Sequence, residues 1–134
     1  MALDLGEKRI GVAVSDETYL IARSYAVLNR SSRLADFEKI GRIVDREGIT
    51  LVIVGLPLTL SGNEGTKAAW ARDYGAGLAA ALEIEVCFWD ESFSTVDAQA
   101  SLQARGQNAK KQREWIDAVA AAFILQSYLD ANRG

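Results

Sequence analysis

The sequence predicts an α/β fold in which a mixed sheet carries helices on its faces. Three observations point to it. Two apolar runs at the start, residues 1–5 and 10–14, are separated only by Gly6, Glu7, Lys8 and Arg9, the spacing of an antiparallel hairpin. Two later apolar runs, 50–55 and 84–89, each follow a helical pattern, as parallel crossover connections require. A last stretch, 113–131, is helical in pattern and almost wholly apolar through its middle.

Taken in order, the first hairpin needs a tight turn, and Gly6 is the residue that supplies positive φ for one. Residues 18–28, with Tyr, Ile, Val and Leu, read as a third, weaker strand. Asn29-Arg-Ser-Ser32 is a polar loop with a serine available as helix cap. Leu34, Phe37, Ile40 and Val44 recur at helical spacing as far as Glu47, and Gly48 stops the helix. Thr50-Leu-Val-Ile-Val-Gly55 is continuous, apolar and β-branched, the pattern of a strand buried on both faces.

The loop 55–65 carries Gly55, Gly62, Gly65 and the only proline; Ser61-x-x-Glu64 is a capping box that predicts a helix from near Gly62. Ala68, Ala71, Gly75, Leu78 and Leu82 give that helix a face of small residues for close packing. Residues 84–89 form the fifth strand and end in Asp90-Glu91. Ser94-x-x-Asp97 predicts a short helix closing at Gly106, 106–112 is a polar, basic loop, and the last helix is expected from about Arg113 to Ala131.

At 134 residues, 49% apolar and 25% charged, the chain is expected to form one domain, 1–134, with a real core. There is no apolar run of some eighteen residues and no basic segment leading into an apolar one, so neither a membrane span nor a secretory signal is expected. Cys87 is the only cysteine, which excludes an internal disulfide and makes a cytoplasmic location the default. The absence of histidine excludes a Ser-His-Asp triad, a Cys-His pair and a His-ligated zinc site. Carboxylates, lysines or hydroxyls must carry any chemistry.

Three carboxylates stand in apolar company. Asp4 lies inside the first strand, where aspartate is disfavoured and an unpaired buried charge is costly. Glu91 stands at the carboxyl end of a strand, where open α/β sheets place their sites. Asp117 interrupts the apolar last helix. Each alone has a plain account: a solvent-facing edge strand, a loop residue, the wet border of a helix. Together, with no histidine as base, they suit an oxygen-ligated magnesium site. Two such ions ~3.5–4 Å apart activate a water and stabilise the leaving oxygen of a phosphodiester.

Four blocks carry a resemblance across nearly the whole chain. They are Asp4-x-Gly-x-Lys-Arg-Ile-Gly-Val-Ala-x-Ser-Asp16, Gly55-Leu-Pro-Leu…Gly62-x-Glu-Gly65, Trp89-Asp-Glu-x-x-Ser-Thr95 and Asp117-x-x-Ala-Ala-x-x-Ile-Leu-Gln126. In this order and spacing they resemble the YqgF/RuvX family of RNase H-like Holliday junction resolvases and pre-16S rRNA nucleases. The resemblance implies an RNase H-like five-stranded mixed sheet of order 3-2-1-4-5 with helices on both faces. It implies a catalytic, metal-binding triad that falls on Asp4, Glu91 and Asp117. It also implies a metal-dependent nuclease with two Mg²⁺ or Mn²⁺ ions, acting on the 5′ end of pre-16S rRNA in ribosome biogenesis, on Holliday junction DNA, or on both. One departure is visible: the family's loop reads Asp-Glu-Arg, and this chain has Ser92 at the arginine, with Arg72 and Arg105 as the candidates to replace it.

A net charge of −3 is low for a protein that holds a polyanion, so the placement of the basic residues matters. Lys8 and Arg9 at the first turn, and Lys110, Lys111 and Arg113 before the last helix, are the expected phosphate contacts, with Gly62 and Gly65 bringing backbone N–H groups toward substrate. Cleavage of paired strands in a junction favours a homodimer. Two other readings stay open: a non-catalytic nucleic-acid-binding module, and a phosphotransferase, since Asp-x-Gly on a first hairpin also opens actin-like kinases.

Overall fold

The computed structural model describes residues 1–57, 65–91 and 109–132, and the side chains of these except 109–114. The opening hairpin consists of β1 (Ala2–Leu5) and β2 (Arg9–Ser15), antiparallel, with Asp4 opposite Gly11. Gly6 does not take positive φ; among the described glycines only Gly48 does. Gly6 is needed for space instead, because its N–H donates to the Arg9 carbonyl at 2.9 Å and a Cβ would stand 2.7 Å from that oxygen.

The third strand, β3 (Ala22–Asn29), starts later than its sequence suggests. Asp16 takes the preceding residues into a turn: its carboxylate accepts from the Leu20 and Ile21 N–H groups and from the Thr18 hydroxyl. Local side-chain acceptors of this kind compete with the sheet ladder for backbone donors. Tyr19 consequently adopts φ 60°, and Tyr19 and Ile21 are exposed.

Helix α1 (Arg33–Glu47) has the expected caps: the Ser32 hydroxyl accepts from the Ala35 N–H, and Gly48 closes the helix in the left-handed region. Its buried stripe differs from the sequence expectation. Leu34 is 79% exposed, while Asp36 is buried beside Ile40 and Ile43. Asp36 tolerates burial because the Ser31 N–H and the Tyr74 hydroxyl both donate to it.

Strand β4 (Leu51–Leu56) pairs parallel with β1 and with β5 (Glu85–Asp90), which gives the sheet the order β3-β2-β1-β4-β5. The expected order is thus observed. Helix α2 (Thr66–Leu82) begins later than the capping box predicts, with Gly65 in extended conformation at the N-cap and no side chain capping it. Ser61, Gly62 and Glu64 lie outside the described residues, as do Ser92, Arg105 and the short helix expected over 94–106. The last helix, α3 (Ala109–Ala131), starts four residues before the expected Arg113, so Lys110 and Lys111 belong to it rather than to a loop.

Strand alternation divides the core into two layers. Leu3, Val12, Val52 and Val54 meet Ile40 of α1 and Ala71, Tyr74 and Leu78 of α2. On the other face Ala2, Ala13 and Ile53 meet Ala121, Ile124 and Leu125 of α3. Asp4, Gly11 and Gly55 share the parity of this second face. No helix among the described residues is long and apolar enough to cross a membrane.

Candidate active site

The three carboxylates come from three elements, and two glycines bring those elements close. Gly11 lies beside Asp4, and a Cβ on Gly11 would fall inside the backbone of Asp117 and Ala118. Helix α3 therefore rests directly on β2 at the turn that carries Asp117. Gly55 does the same for Glu91: a Cβ there would stand 2.6 Å from Glu91 Oε2 and 2.7 Å from Ile124 Cδ1. Glu91 itself follows β5 and is tied to β4 by its N–H, which donates to the Leu56 carbonyl at 3.2 Å.

Asp4 and Glu91 meet. Burial, the Glu91 charge, a hydrogen bond with Glu91 and the Asp117 charge together push the Asp4 carboxyl up to about 8. Glu91 is raised as well, chiefly by burial and also by Asp90, while the hydrogen bond from Asp4 and the charge of Lys67 oppose the rise. Asp4 thus holds a proton at neutral pH and donates it toward Glu91, because two carboxylates in one poorly solvated place cannot both ionise cheaply.

Asp117 has a different partner. Arg9 Nε donates to its Oδ2 at 3.0 Å, with the Arg9 side chain 44% exposed and that of Asp117 22%. Among the described residues no three acidic or cysteine side chains gather closely enough to enclose a metal ion. The Asp4–Glu91 pair nevertheless fits a hard divalent cation in chemistry: both donors are carboxylate oxygens, and their mutual repulsion is what a cation relieves.

Of the other sequence candidates, Lys8 is exposed at the β1–β2 turn, and Gly65 caps α2. Arg9 is drawn onto Asp117. Lys110, Lys111 and Arg113 lie in the first turns of α3, their side chains outside the described part, and Gly62 is outside it entirely. Arg72 lies over the Phe88 ring at 5.0 Å, in the layer opposite the carboxylates, which removes it as a substitute for the missing family arginine.

The RuvX family model, described as Holliday junction resolvase, matches residues 1–131. The chain belongs to the RuvX family. A "Putative pre-16S rRNA nuclease" of Myxococcus xanthus is 43% identical over 133 residues, spanning 99% of this chain and 88% of the relative. A protein of the same name from Thermoanaerobacter pseudethanolicus is 38% identical over 134 residues, spanning 99% and 96%. The fold is shared with Thermus thermophilus RuvC, solved in complex with Holliday junction substrate, at TM-score 0.59 and 21% identity over 98% of this chain and 94% of that one. It is also shared with the fowlpox virus resolvase in its complex with junction DNA, at TM-score 0.55 and 14% identity over 98% and 97%.

Within this RuvX-family frame, four residues escaped the sequence reading. Gly11 and Gly55 read there as strand residues, although a glycine inside an apolar strand signals a close backbone approach. Lys67, at the start of α2, opposes the Glu91 charge; a lysine just after a glycine-rich loop was the available signal. Arg30 gave none, since its contacts are with residues far along the chain.

Proposed function

We propose that this RuvX-family chain is a divalent-metal-dependent nuclease, one domain over 1–134, that hydrolyses phosphodiester bonds in precursor 16S rRNA in the cytoplasm. The observation that carries the reading is the Asp4–Glu91 pair, half-buried, proton-sharing and set at the carboxyl ends of the strands with Asp117 on the helix above. Such paired carboxylates are costly unless a cation takes the proton's place. Asp4 and Glu91 would hold Mg²⁺ or Mn²⁺, with Asp117 as the third carboxylate. The bound metal supplies a Lewis acid for the phosphoryl oxygen and an activated water. Asp4 must release its proton for this, so loading is favoured as pH rises. Lys8, Arg9, Lys110, Lys111 and Arg113 hold the phosphates, and the N–H groups opening α2 face the same end of the sheet.

Relatives at 38–43% identity named for pre-16S rRNA favour RNA as substrate. The description of the family favours a second reading, cleavage of a four-way DNA junction; cutting at paired strands would suit a homodimer. The family match disfavours an actin-like phosphotransferase. A cleavage panel of precursor rRNA fragment, duplex RNA and four-way junction, with Mg²⁺ and with Mn²⁺, tests all of this against Asp4→Asn. Metal-dependent cleavage by wild type, lost in Asp4→Asn, is expected. Binding without cleavage under either metal would leave a non-catalytic nucleic-acid module.

A further inference from the structure

Arg30 follows β3 in what reads as an ordinary polar loop, yet it is engaged on several sides. Its Nη1 donates to the Gly6 carbonyl at 2.8 Å and to the Glu7 carbonyl at 3.0 Å, and its own backbone N–H donates to the Lys8 carbonyl at 2.9 Å. One residue therefore holds three successive carbonyls of the β1–β2 turn. The guanidinium lies over the Trp70 ring at 4.5 Å and near Tyr74 at 5.9 Å, both on α2. Its Nε stands 4.0 Å from Asp36 Oδ2, and Asp36 is only 2% exposed.

We propose that Arg30 is a positioning residue for nucleic-acid binding: it clamps residues 6–8 to α1 and α2, so that Lys8 and Arg9 are presented to phosphate in one arrangement. The inference rests on the reading of that turn as a phosphate contact. The physical case is one of geometry. A turn with exposed Glu7, Lys8 and Arg9 has little packing of its own, and its neighbour Arg9 must reach Asp117 on α3. A planar guanidinium can stack on an aromatic face while its edge bonds two carbonyls; an ammonium cannot do both. The series of contacts runs from Trp70, Tyr74 and Asp36 through Arg30 to the turn, and from Arg9 to Asp117 at the candidate active site.

The test uses Arg30→Lys, which keeps a cation near Asp36, and Arg30→Gln, with fluorescein-labelled duplex RNA and four-way junction DNA bound in chelator. Arg30→Lys should weaken binding by about tenfold and give no further loss in a Lys8→Gln/Arg9→Gln background, because the clamp acts only through those side chains. An equal fold-loss in both backgrounds overturns the proposal, since a merely structural defect is additive. Amide hydrogen exchange gives a readout independent of any nucleic acid. Exchange of the Gly6 amide, which donates to the Arg9 carbonyl across the turn, and of residue 30's own amide, which donates to the Lys8 carbonyl, should quicken by at least about tenfold in Arg30→Lys, with the amides of β4 unchanged. Unchanged exchange in the turn also overturns the clamp. If wild type binds neither nucleic acid, the nuclease reading fails, and the exchange result still decides whether Arg30 holds the turn.

Discussion

At the scale of single residues, Asp4 has the most consequential environment. A free aspartate loses its proton near 3.8, whereas Asp4 keeps its own to about 8. Between those values the folded protein binds one more proton than the unfolded chain, so in chelator its stability falls as pH rises from about 4 to about 8. Asp4→Asn removes this dependence. Its melting temperature in chelator should equal or exceed that of wild type at pH 8 and change less between pH 5 and pH 8, by calorimetry. Excess Mg²⁺ should raise the melting temperature of wild type, by about 2.7 kcal/mol of stability at a hundredfold excess over Kd, and do little for Asp4→Asn. A wild-type melting temperature that climbs from pH 5 to pH 8 in chelator would show that Asp4 is an ordinary paired carboxylate.

At the scale of elements, two glycines decide how α3 and the end of β5 approach the sheet, and they should fail differently. Gly11 faces backbone, which cannot yield, so Gly11→Ala must lift α3 off β2 and should destabilise the fold by ~1–3 kcal/mol in chemical denaturation. Gly55 faces the ends of two side chains, Glu91 and Ile124, which can turn aside. Gly55→Ala should therefore cost less stability than Gly11→Ala while cutting cleavage at least about tenfold, because Glu91 is the side chain displaced. Equal stability loss in both variants, with cleavage by Gly55→Ala intact, would mean that Glu91 does not need its present seat.

At the scale of the whole molecule, the problem is charge: a chain of net −3 with an acidic site must hold a polyanion. The resolution we propose is local, with phosphate held by cations on the first turn and on the first turns of α3. Neutralising Lys110 and Lys111 together should weaken binding across sequences alike and flatten the slope of log K against log salt by about 2. An unchanged slope would take α3 out of the interface.

Among the described residues, the sequence by itself determined the elements and their order. Alternating and helical apolar periods, the Ser32 and Gly48 caps and the β-branched run of β4 are local signals, and local signals set local structure. It also marked the three carboxylates, because a charge in an apolar run is anomalous wherever the chain goes. It misplaced what depends on competition between neighbours: the turn that Asp16 takes from β3, the start of α2 after extended Gly65, and the outward Leu34 with inward Asp36. Only the tertiary structure decided which carboxylates meet. Asp4 faces Glu91 because Gly55 leaves room for it, whereas Asp117 turns to Arg9, since a cation at 3.0 Å is a better partner than another carboxylate. Arg30 was beyond any local reading for the same reason: its partners lie at Gly6, Asp36 and Trp70, and only folding brings those three to one guanidinium.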